Sequence, residues 1–298
     1  MPLPVTLTDN SRGALFMLGS MTAFTVNDAC MKALSDELPL FQALLLRSVA
    51  VTAALVILAA SKGAFNYSLS RRDKRLIALR SLVEVGAAFF FISALFNMPI
   101  ANVTAILQAL PLTVTLAGAV FLGEAVGWRR LSAILIGFIG VMLIIRPGGE
   151  GFTVYSLYVL AAVACVTVRD LAARRMSRDV PSLLVALSAA IAVMLFSALM
   201  SLSIDWVPVS PKAGTQLLAA SIFVIGGYVF SVAAMRVGEI GFVAPFRYSS
   251  LLVALVLGFL VFREWPDVLT LLGSGIVVAT GLFTLFRETQ LAKVRRGR

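Results

Sequence analysis

The sequence predicts an all-α integral membrane protein, with ten transmembrane helices in two inverted five-helix repeats. Three observations carry this prediction. The chain of 298 residues is 60% hydrophobic and only 13% charged, with a mean hydropathy of +0.97, more apolar surface than a soluble domain needs. Its apolar residues gather in runs of about 20, the length at which a helix crosses a hydrocarbon core of ~30 Å. Part of the second half also repeats part of the first at an offset of 140 residues. The runs do not alternate polar and apolar positions, as the strands of a transmembrane barrel would.

In chain order the spans fall at roughly 13–34, 40–60, 77–96, 101–122, 129–146, 154–173, 183–204, 213–235, 240–262 and 267–286. The first follows Arg12 and carries the polar string TVND near its end. The second follows Pro39 and contains a single charge, Arg47. The third is preceded by the basic string SRRDKR and contains Arg80 and Glu84. The fourth and ninth each contain a proline, Pro111 and Pro245, expected to break the helix locally and free backbone groups. The fifth and tenth are marked by Gly137/Gly140 and Gly273/Gly275/Gly281, small residues suited to close helix packing. The sixth carries TVRD, and the seventh and eighth are uncharged.

The positive-inside rule orients the bundle. With the N-terminus inside, the inner segments hold 18 of the 25 Lys and Arg: Arg12, the six from Lys62 to Arg80, Arg129, Arg130, Arg174, Arg175, Arg178, Arg236 and five in the tail from Arg287. Outside are Lys32, Arg146, Lys212 and Arg263, while Arg47, Arg169 and Arg247 fall within spans. Both termini are therefore expected in the cytoplasm. The one Arg before the first span, with no small-residue cleavage site after it, gives no expectation of a cleaved signal peptide.

The repeat lays Ala94–Glu124 on Ala234–Glu264 without a gap, with identities at Ala94/Ala234, Ile100/Ile240, Val103/Val243, Leu112/Leu252, Gly118/Gly258 and Glu124/Glu264. TVND (25–28) and TVRD (167–170) recur at nearly the same offset. Two halves follow, 1–150 and 151–298, the second ending in a basic tail. An odd number of spans per half inverts the second, an arrangement characteristic of alternating-access carriers.

Other classes are disfavoured. The net charge of +10 sits in short loops and the tail, where it reads as a topology signal and not as a nucleic-acid surface. Histidine is absent, and the two cysteines, Cys30 and Cys165, lie within spans with no metal-ligand spacing. No catalytic constellation, nucleophile elbow or Walker loop is present. An enzyme is not expected, nor a cofactor, a metal or a catalytic residue. A gradient must drive any transport.

An intramembrane ionisable group marks function or a pairing, since a carboxylate at the bilayer centre costs about 2.5–3.5 kcal/mol. Asp28 and Asp170 are symmetry-related gates or proton sites on one reading, and i,i+4 pairs with Lys32 and Arg174 on the other. Asn27 adds an amide for substrate or a neighbouring helix. Glu84 is the coupling carboxylate if it faces a cavity, and Arg80's partner if it does not. Arg47 and Arg247 have no acidic neighbour on their own helix faces, so each faces a cavity or pairs across helices, with Asp28 and Glu84 as partners in view. Gln108 and Tyr248 match under the 140 shift; they line a site from both halves or share an interhelical hydrogen bond. Phe89–Phe91, with Phe96 and Tyr228, form aromatic walls for a flat ring or pack against neighbours and lipid. Glu124 and Glu264 are expected at helix ends as interface or capping residues.

The pattern of two five-span halves resembles the drug/metabolite transporter superfamily and its EamA family. LGEAVGWRRLSAILIGFIGVMLIIRPG (122–148) is similar to the end of one EamA repeat, and FREWPDVLTLLGSGIVVATGLF (262–283) to the end of the second, with Trp265-Pro266 as a departure. NDACMKAL, LLLRS and RSLVEVGAAFFFISAL resemble the branch holding bacterial uptake carriers for riboflavin and for S-adenosylmethionine. The resemblance implies a secondary carrier of a small metabolite in the bacterial inner membrane, with riboflavin uptake first. A cationic metabolite such as S-adenosylmethionine, or export of amino acids or metabolites, comes next. Its partners would be a small-molecule substrate and the lipid bilayer, not nucleic acid; a homodimer is compatible with the sequence.

Overall fold

The computed structural model describes residues 7–296 except 68, 125, 150, 151 and 178; side chains 7, 8, 66, 240, 288, 289 and 291–296 are not described. Of the predicted inner cations, Arg178, Arg298 and the side chains of Lys293, Arg295 and Arg296 lie outside the described residues. Among those described there is no strand. The helices are α1 (Leu7–Ala33), α2 (Leu40–Ser61), α3 (Arg71–Asn97), α4 (Ile100–Leu107), α5 (Leu110–Leu122), α6 (Trp128–Ile145), α7 (Val154–Arg175), α8 (Ser182–Ser201), α9 (Pro211–Val237), α10 (Ile240–Val243), α11 (Ser249–Phe262) and α12 (Val268–Arg296).

Every predicted span is helical. Among the described residues, nine segments are long and apolar enough to cross a membrane. The tenth span is α1, whose 27 residues suffice in length but include Asn27 and Asp28. The helices overrun the apolar runs, α3 starting at Arg71 and α12 reaching Arg296, because backbone hydrogen bonding continues past the hydrocarbon edge.

The fourth and ninth spans are interrupted, as their prolines predict. Pro111 has no N–H for the carbonyl of Leu107, and α4 ends there; a turn at Gln108–Ala109 precedes α5. In the ninth span, α10 gives way at Ala244 to a 3-10 segment, Ala244–Tyr248, with Pro245 in its first turn. The two prolines are not equivalent under the 140 shift, yet each break includes one of a pair of equivalent positions, Gln108 and Tyr248.

The ends of these spans are equivalent too. α5 stops at Gly123 (φ 68) and α11 at Arg263 (φ 57), both left-handed. In each case the next residue donates backward, Glu124 N–H to the Gly118 carbonyl at 3.2 Å and Glu264 N–H to the Gly258 carbonyl at 2.9 Å. The N–H of the left-handed residue itself points to the same carbonyl, so in both copies one otherwise orphan carbonyl near the helix end takes both donors. Gly123 adopts the conformation without cost; Arg263 bears the Cβ penalty. The predicted capping role of Glu264 is realised, since its carboxylate accepts from Ile100 N–H at 3.3 Å at the start of α4.

Contacts divide the chain into two units. One comprises Met1–Ala29, Met98–Thr153 and Ile222–Arg298; the other comprises Cys30–Asn97 and Val154–Ser221. Each unit therefore draws helices from both halves of the sequence. In the first, α4 packs on α11 and α6 on α12. α6 and α12 meet at glycine, where a Cβ at Gly273 would lie 2.5 Å from the Gly140 carbonyl and one at Gly137 would lie 2.8 Å from Thr280 Oγ1; the Gly137 Cβ would also lie 2.2 Å from Leu112 of α5. Gly281 makes room for the Tyr248 hydroxyl. Gly275, expected in the same role, has nothing near it and serves no close packing. Met17, Met21, Ala234 and Val243 form a buried core among α1, the end of α9 and α10, and Ser20 Oγ donates to the Gly227 carbonyl at 2.8 Å.

In the second unit α3 packs on α7 and α8, and α2 on α8. Asp73, buried at the start of α3, accepts from Ser70 Oγ (2.6 Å) and from the backbone N–H and hydroxyl of Ser177 (3.0 Å each) beyond α7. At the other end of this unit, Gln42 exchanges two hydrogen bonds with the backbone of Val207, donating at 2.7 Å and accepting at 3.1 Å.

Candidate functional site

TVRD places Arg169 and Asp170 on α7, facing α3. Arg169 Nε donates to Asp170 Oδ1 at 3.0 Å, and its Nη1 lies 3.4 Å from both carboxylate oxygens of Glu84 on α3. The Glu84 and Arg169 side chains are 19% and 24% exposed, so both are substantially withdrawn from solvent. Two carboxylates thus share one guanidinium, a cluster with one excess negative charge. It rests on the close approach of α3 and α7 near Gly86, where an added Cβ would lie 3.0 Å from Cys165 Sγ.

This geometry corrects two expectations. Glu84 is not paired with Arg80, which instead donates to the Val185 carbonyl on α8 at 3.3 Å. Asp170 is not paired with Arg174; its ion pair is with its neighbour Arg169. In both cases a cross-helix or adjacent partner displaces the i,i+4 partner visible in sequence. Arg169, noted in sequence only as an intramembrane cation, is the residue that sequence reasoning missed. Its signal was its place inside the repeated string.

TVND, the equivalent string, lies on α1. Asn27 is buried, and its Nδ2 donates to Asp28 Oδ1 at 2.9 Å. Asp28 and Lys32 stand one turn apart on this helix, as the spacing predicts. Arg47 is half-buried on α2.

Gln108 and Tyr248 are brought together at the two helix breaks. Gln108 Nε2 donates to the Tyr248 carbonyl at 3.3 Å and to Ser250 Oγ at 3.0 Å. The interhelical bond, one of the two readings of this pair, is therefore present. The amide joins the two broken spans through the carbonyl that the 3-10 segment exposes. The Tyr248 side chain is buried, and its hydroxyl has no hydrogen-bond partner among the described residues. Arg247, next to it, is exposed and makes no ion pair among the described residues.

The aromatic residues of α3 pack with rings from three other helices. Phe89 stacks on Phe41 of α2 with centroids 6.0 Å apart and meets Phe196 of α8 edge-on at 6.2 Å. Phe90 meets Tyr158 of α7 edge-on at 5.3 Å, and Tyr158 in turn meets Tyr155. All six rings are half-buried, so each keeps an uncovered surface. Tyr228 meets Phe24 of α1 edge-on at 5.2 Å. No group of three or more His, Cys, Asp or Glu fit to hold a metal occurs among the described residues.

Known proteins place this architecture. The model of the EamA-like transporter family matches twice, over residues 11–146 and 153–286. The riboflavin transporter of Vibrio cholerae is 28% identical over 96% of this chain and 96% of its own length. The S-adenosylmethionine uptake transporter of Rickettsia conorii is 24% identical over 93% of each. The pseudopaline exporter CntI of Pseudomonas aeruginosa is 27% identical over 89% of this chain and 92% of its own. One crystal structure covers 95% of this chain and 98% of its own with a TM-score of 0.63 at 21% identity, which shows a shared fold. Two family matches, membrane-length helices throughout and paired helix breaks agree: the chain is a multi-pass membrane protein and belongs to the EamA-like transporter family.

Proposed function

We propose that the protein is a secondary carrier in the bacterial inner membrane that takes up riboflavin by alternating access, with both termini cytoplasmic. The observation that carries this reading is the six-ring aromatic panel of α2, α3, α7 and α8, half-uncovered and spread over four helices. A flat isoalloxazine ring binds by stacking on such surfaces, worth about 0.5–1.5 kcal/mol per ring pair beyond area burial. The Vibrio cholerae relative supports the same substrate. Glu84 and Asp170, held by Arg169, are the proposed coupling groups, since ionisable residues within a span mark ion pathways. Asn27, Asp28 and Arg47 are proposed at the substrate path from the first repeat, and Gln108, Tyr248 and Arg247 at the helix breaks.

The test is uptake of labelled riboflavin in a bacterium that can neither make nor import it. Saturable uptake that depends on this gene, and that falls in Glu84→Gln and Arg47→Ala variants inserted at normal levels, is expected. No uptake from a correctly inserted protein would discard riboflavin.

A second reading rests on the excess negative charge of the Glu84–Arg169–Asp170 cluster, which suits a cationic metabolite such as S-adenosylmethionine. Competition separates the two. If S-adenosylmethionine is taken up and excess riboflavin leaves its uptake unchanged, the cationic reading replaces the first.

A further inference from the structure

Where α6 begins and the apolar part of α12 ends, the two helices leave an open groove of about 610 Å³. Its floor is apolar, with Ile136 and Phe283, and its rim holds Trp128, Arg129, Ser132 and Arg287. Trp128 is 73% exposed, and Arg129 lies over its ring, 5.4 Å from the centroid. Arg287 bonds only to Gln290, at 3.1 Å, and neither arginine has a carboxylate partner among the described residues. α6 starts at Gly127, at this end of the groove, with no side-chain cap. An apolar trough beneath a tryptophan and two cations that have no carboxylate partner among the described residues, at the depth where a span meets water, has the layering of a lipid: acyl chain below, headgroup above.

We infer that this groove is a binding site for an anionic phospholipid. The phosphate lies between Arg129 and Arg287, and an acyl chain runs along Ile136 and Phe283. Charge decides the occupant. A zwitterionic lipid carries a compensating cation that both arginines repel. A second copy of this chain would bring the same two arginines against themselves about a two-fold axis.

The experiment uses the full-length protein with Trp206 and Trp265 replaced by phenylalanine, so that Trp128 is the only fluorophore of its kind. It is placed in bilayers of phosphatidylcholine containing a small fraction of brominated phosphatidylglycerol or brominated phosphatidylcholine. Brominated phosphatidylglycerol is expected to quench Trp128 at far lower mole fraction. Each arginine near an anionic headgroup contributes about fivefold to that preference. Arg129→Gln and Arg287→Gln should therefore each lower it by about that factor, and Arg129→Lys should restore most of it. Equal quenching by the two lipids in the parent protein overturns the proposal. So does a preference unchanged in the paired glutamine variant, which would place the lipid elsewhere. A Trp128 that neither lipid reaches, in a protein that runs as a dimer, overturns it in favour of self-association. Should the paired variant be lost on purification, the two single variants and the lysine variant still decide the matter.

Discussion

The strings TVND and TVRD hold equivalent places in the two repeats, and their first polar residues do the same local work with different reach. Asn27 donates to Asp28 at 2.9 Å, and Arg169 donates to Asp170 at 3.0 Å. The arginine has further donors, and with them it crosses to Glu84 on α3. The duplicated element thus keeps a carboxylate held by its preceding neighbour, while one copy has become an ionic link between helices. Equivalence in sequence preserves the local bond; the longer side chain of one copy sets the tertiary role.

The strongest way to break this contrast is to make the second string like the first. Arg169→Asn keeps a donor for Asp170 and strands Glu84. Leaving a buried charge without its partner costs about 3–5 kcal/mol, reduced here to about 2 because the pair is partly exposed. A large fall in the thermal midpoint of the detergent-solubilised protein is expected, and adding Glu84→Gln should recover much of it. An unchanged midpoint would show the ion pair to be inert. Next in size is the neutral link between the broken spans. Gln108→Ala removes two interhelical hydrogen bonds, and bonds of this kind within membranes average about 0.6 kcal/mol each. The loss should be near 1 kcal/mol. Tyr248→Phe, by contrast, removes a hydroxyl that has no partner among the described residues and should cost nothing or stabilise slightly. Comparable losses from both variants would refute the assignment of the link to the Gln108 amide.

The smallest effect separates titratable links from neutral ones. Glu37, in the loop before α2, accepts from Lys212 at 2.7 Å and from Ser210 at 2.5 Å, and these partners hold its carboxyl below the ordinary value of 4.5. A lowered folded-state pKa means stability that is present above the unfolded value and lost as pH falls through the folded one. Acidification should therefore lower the midpoint slightly in the parent protein. The fall should shrink in Glu37→Gln, whereas Gln108→Ala should leave the acid response as it is. An identical acid response in Glu37→Gln would remove this pair from the account.

Much of this could be read from residues alone, and the limit has a physical basis. Span positions follow from hydropathy, and the helix breaks follow from the missing N–H of Pro111 and Pro245. The 140-residue offset even matched Gln108 to the residue whose carbonyl it bonds. Sequence could not say whether Glu84 would turn to Arg80 on its own helix or to Arg169 on another. That choice depends on α3 packing against α7 at Gly86, which no local pattern encodes. The groove of Trp128 and Arg287 was invisible for the same reason: its walls are 159 residues apart and are brought together by the packing of α6 on α12.

The clasp at Asp73 bears on how the chain is built. Its Ser177 partner lies 104 residues downstream, and the unit to which both belong is assembled from segments on either side of the first repeat's end. As the chain leaves the ribosome, α2 and α3 are complete long before α7 and α8 exist to cover them. The early helices must wait in the lipid with Asp73 short of two of its hydrogen bonds. Each unit closes only when the second repeat arrives, so order of synthesis and order of packing cannot coincide.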